Sequence, residues 1–175
     1  MLSDIEEYQI NLLINIIKHY KIIRIHNYIL VIERGIKMST LFINGSPNKN
    51  GNTVRLANKF LKGEDFKTLN LVDYKIYSYG QEFGDDQLDE VIEQMKQADT
   101  IVIGSPLYWH SMSGAIRNVL DRFYGYVDES LLRGKDMYFI FQGYAPTKEQ
   151  LAAGEYTMSR FAKLYGMNYK GMITE

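Results

Sequence analysis

Hydrophobic and polar positions along this chain change period several times, and each change marks an element. Residues 38–44 are short, apolar and rich in β-formers, the pattern of a strand; Leu56, Phe60 and Leu61 then fall on one side of a helix. Residues 66–72 alternate and predict a second strand. Leu88, Val91, Ile92 and Met95 recur at i, i+3, i+4 and i+7, which predicts a helix capped by Asp85 or Asp86. Residues 100–105 contain a continuous apolar run without alternation, as in a central parallel strand covered on both faces. Met112, Ala115, Ile116, Val119, Leu120 and Phe123 form the stripe of a helix capped near Ser111 and stopped by Gly125. Residues 136–142 read as a fourth strand. Thr147-Lys148-Glu149-Gln150 fits a capping box, opening a helix that carries Leu151, Met158, Phe161, Ala162 and Tyr165 and stops at Gly166. Residues 167–173 are a fifth strand. Strands alternating with helices argue for βαβ units, and so for a parallel sheet with right-handed crossovers.

The first 37 residues differ in composition. They are crowded with Ile, Asn, Tyr and Lys and have no glycine before Gly35. Ile5, Tyr8, Leu12, Leu13, Ile16, Ile17 and Tyr20 suit a helix from about residue 4 to 20, and residues 22–32 are apolar and β-branched. Asp4, Glu6 and Glu7 argue against a secretory signal, and Asn11, Asn15, Lys18, Lys21 and Arg24 break any run long enough to span a bilayer. Two readings follow for residues 1–37. One is a peripheral amphipathic helix. The other is an over-extended gene start, because Glu33-Arg34-Gly35 can be encoded by a purine-rich stretch resembling a ribosome-binding site just before Met38. The domain organisation expected is an extension over 1–37 and one domain over 38–175. The intact mass of the protein from its native host tests the early start at Met38; a species that includes Met1 would overturn it.

Three loops follow strands at their carboxyl ends, where open α/β sheets bind ligands. The first is Gly45-Ser46-Pro47-Asn48-Lys49-Asn50-Gly51-Asn52-Thr53. Between a strand and a helix, such a loop aims backbone N–H groups at one point, and the helix N-terminus adds about half a positive charge. Ser46, Asn48, Asn52 and Thr53 can donate to the same anion. The spacing misfits the ATP-type loop, with Asn52 where its lysine belongs, and Ser46-Pro47 breaks the dinucleotide fingerprint. An ordinary turn capped by Asn52 or Thr53 accounts for the same residues. The second loop, Pro106-Leu107-Tyr108-Trp109-His110-Ser111-Met112-Ser113, carries the one Trp of the chain. Its aromatics either fold back on the core or form a flat platform for an aromatic ligand. The third is Gly143-Tyr144-Ala145-Pro146. Together the loops describe a ligand with a terminal phosphate and a large aromatic system. A doubly wound sheet of order 2-1-3-4-5 holds such a ligand, FMN, at its switch point.

Composition removes several chemistries. The chain has no cysteine, which excludes disulfides, thiolate catalysis and Cys-ligated zinc or iron–sulfur sites. Its three histidines, His19, His26 and His110, leave no His-rich metal site in the body of the chain. A net charge of −1 without like-charge blocks gives no footprint for nucleic acid. A cytoplasmic protein is the simplest reading.

Gly45-Ser46-Pro47-x-x-x-Gly51-Asn52-Thr53, Ser105-Pro106-Leu107-Tyr108-Trp109 and Leu120-Asp121-Arg122 resemble the flavodoxin-like NAD(P)H-dependent FMN reductase and quinone reductase family, from Met38 to the end of the chain. The resemblance implies the α/β, doubly wound, five-stranded parallel sheet of order 2-1-3-4-5. It also implies that Ser46, Asn48, Gly51, Asn52 and Thr53 hold the FMN phosphate, that Pro106, Leu107, Tyr108 and Trp109 line the isoalloxazine, and that Gly143 and Tyr144 form its other edge. The expected activity passes a hydride from NAD(P)H through flavin N5 to a quinone-like or other small aromatic acceptor. Tyr108, His110 and Tyr144 are candidates for stabilising charge or donating a proton, with a solvated loop histidine as the other reading of His110. No metal is implied. Relatives usually carry a helix after strand five, so the domain is expected to lack its last helix or to cover that face otherwise; a homodimer is expected, with the second subunit completing the substrate pocket. The alternatives are a flavodoxin-type electron carrier and a flavin-free regulator. Carriers need an acidic face. Setting aside the 5 basic and 4 acidic residues before Met38 leaves 15 and 17, so the body is nearly neutral.

Overall fold

A computed structural model describes residues 38–175. The helix expected at 4–20 and the apolar stretch at 22–32 lie outside the described residues. In chain order the elements are β1 (Thr40–Asn44), α1 (Asn52–Phe60), β2 (Phe66–Asn70), a 3₁₀ turn (Leu71–Asp73), α2 (Leu88–Gln97), β3 (Thr100–Tyr108), β4 (Ser111–Met112), α3 (Gly114–Phe123), β5 (Asp136–Gln142), α4 (Lys148–Leu164) and β6 (Asn168–Ile173). The sheet runs β2-β1-β3-β5-β6, and every pair along it is parallel. Counting those five strands alone, the order is the expected 2-1-3-4-5 of a doubly wound sheet.

The apolar runs explain themselves in the packing. Leu41, Ile43, Ile101, Ile103, Met137, Phe139 and Phe141 point to one face and pack with α2, α3 and α4. Phe42, Val102 and Ile140 point to the other and pack with Leu56, Ala57 and Leu61. A strand covered on both faces has no polar side to show, so its sequence does not alternate. Phe123 of α3 meets Phe161 and Tyr165 edge-to-face at 5.2 and 5.1 Å, which binds α3 to α4; such pairs add about 0.5–1.5 kcal/mol each beyond their buried area.

Local differences from the sequence reading have physical causes. The strand expected at 100–105 continues to Tyr108 and turns back through β4, with Leu107 opposite Met112 and Tyr108 opposite Ser111. The second loop is therefore a tight hairpin around Trp109 and His110. Met112 belongs to β4, and the cap of α3 is Ser113 rather than Ser111. The strand expected at 66–72 ends at Asn70, where Leu71–Asp73 winds into a 3₁₀ turn. Helix α2 starts at Leu88 after Gln87, yet Asp86 still serves its end, because its Oδ1 accepts from Leu88 N at 2.9 Å.

The irregular stretch 74–87 is tied down by the same Asp86. Its Oδ2 accepts from Tyr77 N at 3.3 Å and from Arg122 Nη1 of α3 at 2.5 Å, and Arg122 Nη1 also donates to Tyr77 O at 3.2 Å. Asn118, also on α3, donates to Ile76 O at 3.1 Å. Burial works to raise the Asp86 carboxyl, but Arg122 and the N–H groups of Leu88 and Tyr77 outweigh it and hold Asp86 below the usual carboxylate range. Arg122 thus clamps this stretch to α3.

Candidate functional site

The first loop is fastened to the carboxyl end of the sheet by its own backbone. Gly45 N donates to Gly104 O of β3 at 2.8 Å, and Ser113 Oγ, the cap of α3, donates to Gly45 O at 2.8 Å. A Cβ on Gly45 would stand 2.3 Å from Ile116 Cγ1, so only glycine passes here. Beyond it the chain coils on side-chain acceptors. Asn44 Oδ1 accepts from Ser46 N, Ser46 Oγ from Asn48 N, and Asn48 Oδ1 from Asn50 N, all at 3.0–3.1 Å. Because Ser46 Oγ is the acceptor, its own proton is free for another partner.

Helix α1 then begins without a side-chain cap. Its N-cap is Gly51, not Asn52 or Thr53, and its first turn holds no acidic residue. The orphan N–H groups of that turn, with the dipole behind them, face outward. Thr53 is buried, and its Oγ1 accepts from Gln142 Nε2 at 3.1 Å, which pins α1 to the end of β5.

A cavity of about 440 Å³ opens here, between the first loop, the end of β3 and the turn after β5. It brings together Ser46, Asn48, Gly51, Asn52, Pro106, Leu107, Tyr108, Gly143 and Tyr144, nine of the residues expected from sequence, and adds Asn50, Arg55 and Gln142. Thr53, Trp109 and His110 are not among the residues that line it. The polar end is built of donors: amides, the Ser46 hydroxyl, the Arg55 guanidinium and the helix end. No carboxylate lines this cavity, and Glu175 lines a smaller hollow that adjoins it at Asn52, Arg55, Gln142 and Gly143. The other end is Pro106, Leu107 and two tyrosines. Tyr108 is half exposed and Tyr144 fully exposed. Gly143 keeps this end narrow, since a Cβ there would stand 2.9 Å from Leu107 Cβ. This donor set and shape fit a phosphate at one end and a flat ring at the other.

The two ring-side loops are also where the backbone is strained. Among the described residues the non-glycine positions with positive φ are Trp109 (46°), His110 (66°) and Ala145 (51°). Such conformations cost on the order of 1–3 kcal/mol each and persist only where the surroundings fix them. At the hairpin tip His110 Nδ1 meets Gln150 Nε2 of α4, while the Trp109 ring is 94% exposed.

A second hollow of about 450 Å³ lies against α3 and α4, lined by Tyr79, Leu120, Tyr124, Phe161, Leu164 and Tyr165 among others. Its one cation, Arg117, is paired with Asp121 at 2.7 Å, and no strand end opens into it. It offers no anion site, and the strand-end cavity is the better candidate despite similar size. Among the described residues no group of three or more His, Asp or Glu side chains is placed to hold a metal ion, and no helix is long and apolar enough to cross a membrane.

Sequence reasoning missed Arg55 and Gln142. Arg55 looked like one more polar residue of α1, and Gln142 like the end of a strand. Their signal was positional only: each stands within a turn of a glycine loop.

Comparison with known proteins agrees with this architecture. Residues 38–171 match the family model described as NADPH-dependent FMN reductase. An iron-sulfur flavoprotein of Archaeoglobus fulgidus is 35% identical over a segment that covers 49% of this chain and 48% of that protein. The chain spans about half the length of the curated relatives it matches. Among solved structures, the Trp repressor binding protein of Bacillus subtilis superposes with a TM-score of 0.63 at 24% identity, covering 77% of this chain and 82% of that one. An FMN-dependent NADH-azoreductase of Bacillus anthracis, solved in complex with FMN, superposes with a TM-score of 0.60 at 18% identity, covering 78% and 86%. These two likenesses concern the fold.

Proposed function

The chain belongs to the NADPH-dependent FMN reductase family, and from that premise we propose that it is an NAD(P)H-dependent flavin oxidoreductase that binds FMN in the strand-end cavity and reduces a quinone-like or other small aromatic acceptor. One observation carries the reading: a cavity with donors at one end, aromatic walls at the other and no carboxylate in its lining. Bound there, FMN would supply two-electron chemistry, taking a hydride from the nicotinamide at N5 and passing the electrons on.

The residues have separate tasks. The first turn of α1, Ser46, Asn48, Asn52 and Arg55 would hold the phosphate and thereby fix the register of the ring. Pro106, Leu107 and Tyr108 would line one side of the ring and Gly143 and Tyr144 the other. Both tyrosines carry a hydroxyl able to donate to charge that develops during transfer. Exclusion of a fixed negative charge keeps the site favourable for an electron-rich cofactor. Exposure of Tyr144 and Trp109 leaves the ring end open, which suits a second subunit as the remaining wall of the substrate pocket, so the active form proposed is a homodimer.

Purified protein is expected to carry, or take up, one FMN per chain, to show the visible absorption of bound flavin, to run as a dimer by light scattering, and to oxidise NADH or NADPH with menadione as acceptor. A colourless preparation that ignores added FMN would defeat the proposal. An FMN-bound protein that oxidises neither nicotinamide would leave the electron-carrier reading in its place.

A further inference from the structure

The two aromatic walls of the cavity belong to different parts of the sheet. Tyr108 stands at the end of β3, one residue before the hairpin tip, and Tyr144 stands in the turn between β5 and α4. Between them runs a single side-chain connection. Gln150 Oε1 accepts the N–H of Thr147 at 2.8 Å, and Thr147 Oγ1 accepts the N–H of Gln150 at 3.3 Å, the reciprocal pair that closes the first turn of α4. That bond decides which way the amide faces. Its oxygen is spent on Thr147, so its NH₂ is the group presented to His110 Nδ1. An amide NH₂ can only donate, and Nδ1 can receive it only through its lone pair. For this contact to be a hydrogen bond, Nδ1 has to accept and the ring proton has to sit on Nε2.

We propose that Gln150 is a positioning residue for the site, resting on the flavin-reductase reading above: its amide, oriented by the helix cap, fixes His110 as the Nε2–H tautomer and clasps the Trp109–His110 hairpin to the wall that carries Tyr144. Two consecutive non-glycine residues at positive φ carry the strain of the two-residue turn that joins Tyr108 to Ser111. The clasp adds an outside partner to the β3–β4 pairing that holds the turn and Tyr108. It also leaves His110 with one fixed donor, Nε2–H, two residues beyond Tyr108. The hairpin so held sets the width available to an acceptor.

The test separates the clasp from the cap. Gln150→Glu keeps an oxygen for Thr147 N–H and removes the donor to His110; Gln150→Ala removes both. Long-range ¹⁵N–¹H NMR of the full, flavin-free chain reads the imidazole directly, and His110→Gln identifies its signals among the three histidines. The wild type is expected to show unprotonated Nδ1 and protonated Nε2. Gln150→Glu is expected to protonate Nδ1, and Gln150→Ala to give a mixture of tautomers. In the FMN-loaded enzyme both variants are expected to raise KM for menadione about fivefold, and more than they change kcat, as the loss of one positioning hydrogen bond does. A wild-type His110 with the same tautomer mixture as Gln150→Ala, or KM unchanged in both variants, would overturn the proposal. The NMR signature needs no flavin, so a failure to bind FMN would count against the reading above and not against the clasp.

Discussion

Methionine in place of Arg122 is expected to cost about 3–5 kcal/mol of folding stability, because it leaves the Asp86 carboxylate buried without its cation. The two side chains are only 15% and 16% exposed and stand 2.5 Å apart. Exposed pairs of this chain such as Lys59–Glu175 are in another class, since solvent screening and side-chain entropy cancel most of their attraction. Asp86 cannot simply escape to water either, because it also receives the N–H groups of Leu88 and Tyr77. In a chain of this length the loss corresponds to a fall in Tm of roughly 10 °C. Asp86→Asn in the same background removes the stranded charge and keeps an acceptor for the Leu88 N–H, while its NH₂ replaces the oxygen that receives the Tyr77 N–H, so the double variant should recover part of the loss. The pH dependence has a definite sign. The folded state holds Asp86 below its ordinary range, so its contribution is complete above the unfolded carboxyl value, about 3.9, and fades as pH falls through the depressed folded value. The Arg122→Met penalty should accordingly shrink in acid, where the stranded carboxyl takes up a proton. Urea midpoints at pH 7 and pH 3.5 measure both effects. A penalty below about 1 kcal/mol at pH 7 would mean that the pair behaves as a surface ion pair.

That clamp was not legible in the sequence, and the reason is general to the molecule. Asp86 and Arg122 lie 36 positions apart, and no local pattern couples an irregular stretch to the far side of a helix. What was legible followed from period and burial. Leu41 and Ile43 against Phe42 look like one apolar run because both faces of β1 are covered; the parallel pairing followed from the alternation of strands with helices, and the strand order from the resemblance. The hairpin at Trp109–His110 was hidden for the opposite reason. Tight two-residue turns with positive φ ordinarily announce themselves with Asn-Gly or Gly, whereas here bulky residues adopt that backbone, and the side chain that His110 meets, Gln150, is 40 positions away. The site was legible as three loops at strand ends, and nine of its residues do share a cavity. The partner of Thr53 was not legible, because a hydroxyl at a helix start suggests a cap or a ligand contact, while its Oγ1 accepts from Gln142 on a distant strand. Gly45 was recognised as part of a loop, but the approach of Ile116 that forbids any side chain there is a tertiary fact.

The phosphate end of the cavity makes the largest functional prediction, because helix and ligand want the same thing from it. An uncapped first turn with no acidic residue is an unfavourable way to start a helix. Asn52→Asp would correct this. A carboxylate at the first position of α1 meets the helix dipole, and it meets Arg55, whose guanidinium already reaches the Asn52 side chain. Folding stability is expected to rise by about 0.3–1 kcal/mol. The same carboxylate occupies the place proposed for the phosphate and would repel it. Two like charges about 5 Å apart at an effective dielectric near 20 interact by about 3 kcal/mol, so FMN affinity should fall on the order of 100-fold. Riboflavin, which lacks the phosphate but keeps the ring, should bind the variant about as it binds the wild type. Flavin fluorescence titration with both ligands, beside urea unfolding of the flavin-free proteins, gives the three numbers. A gain in stability with FMN affinity lost and riboflavin affinity kept places the phosphate at the start of α1. Equal losses for FMN and riboflavin would mean that the substitution disturbs the ring site instead. FMN affinity left unchanged would move the phosphate away from this helix and remove the basis on which Ser46, Asn48, Asn52 and Arg55 were grouped.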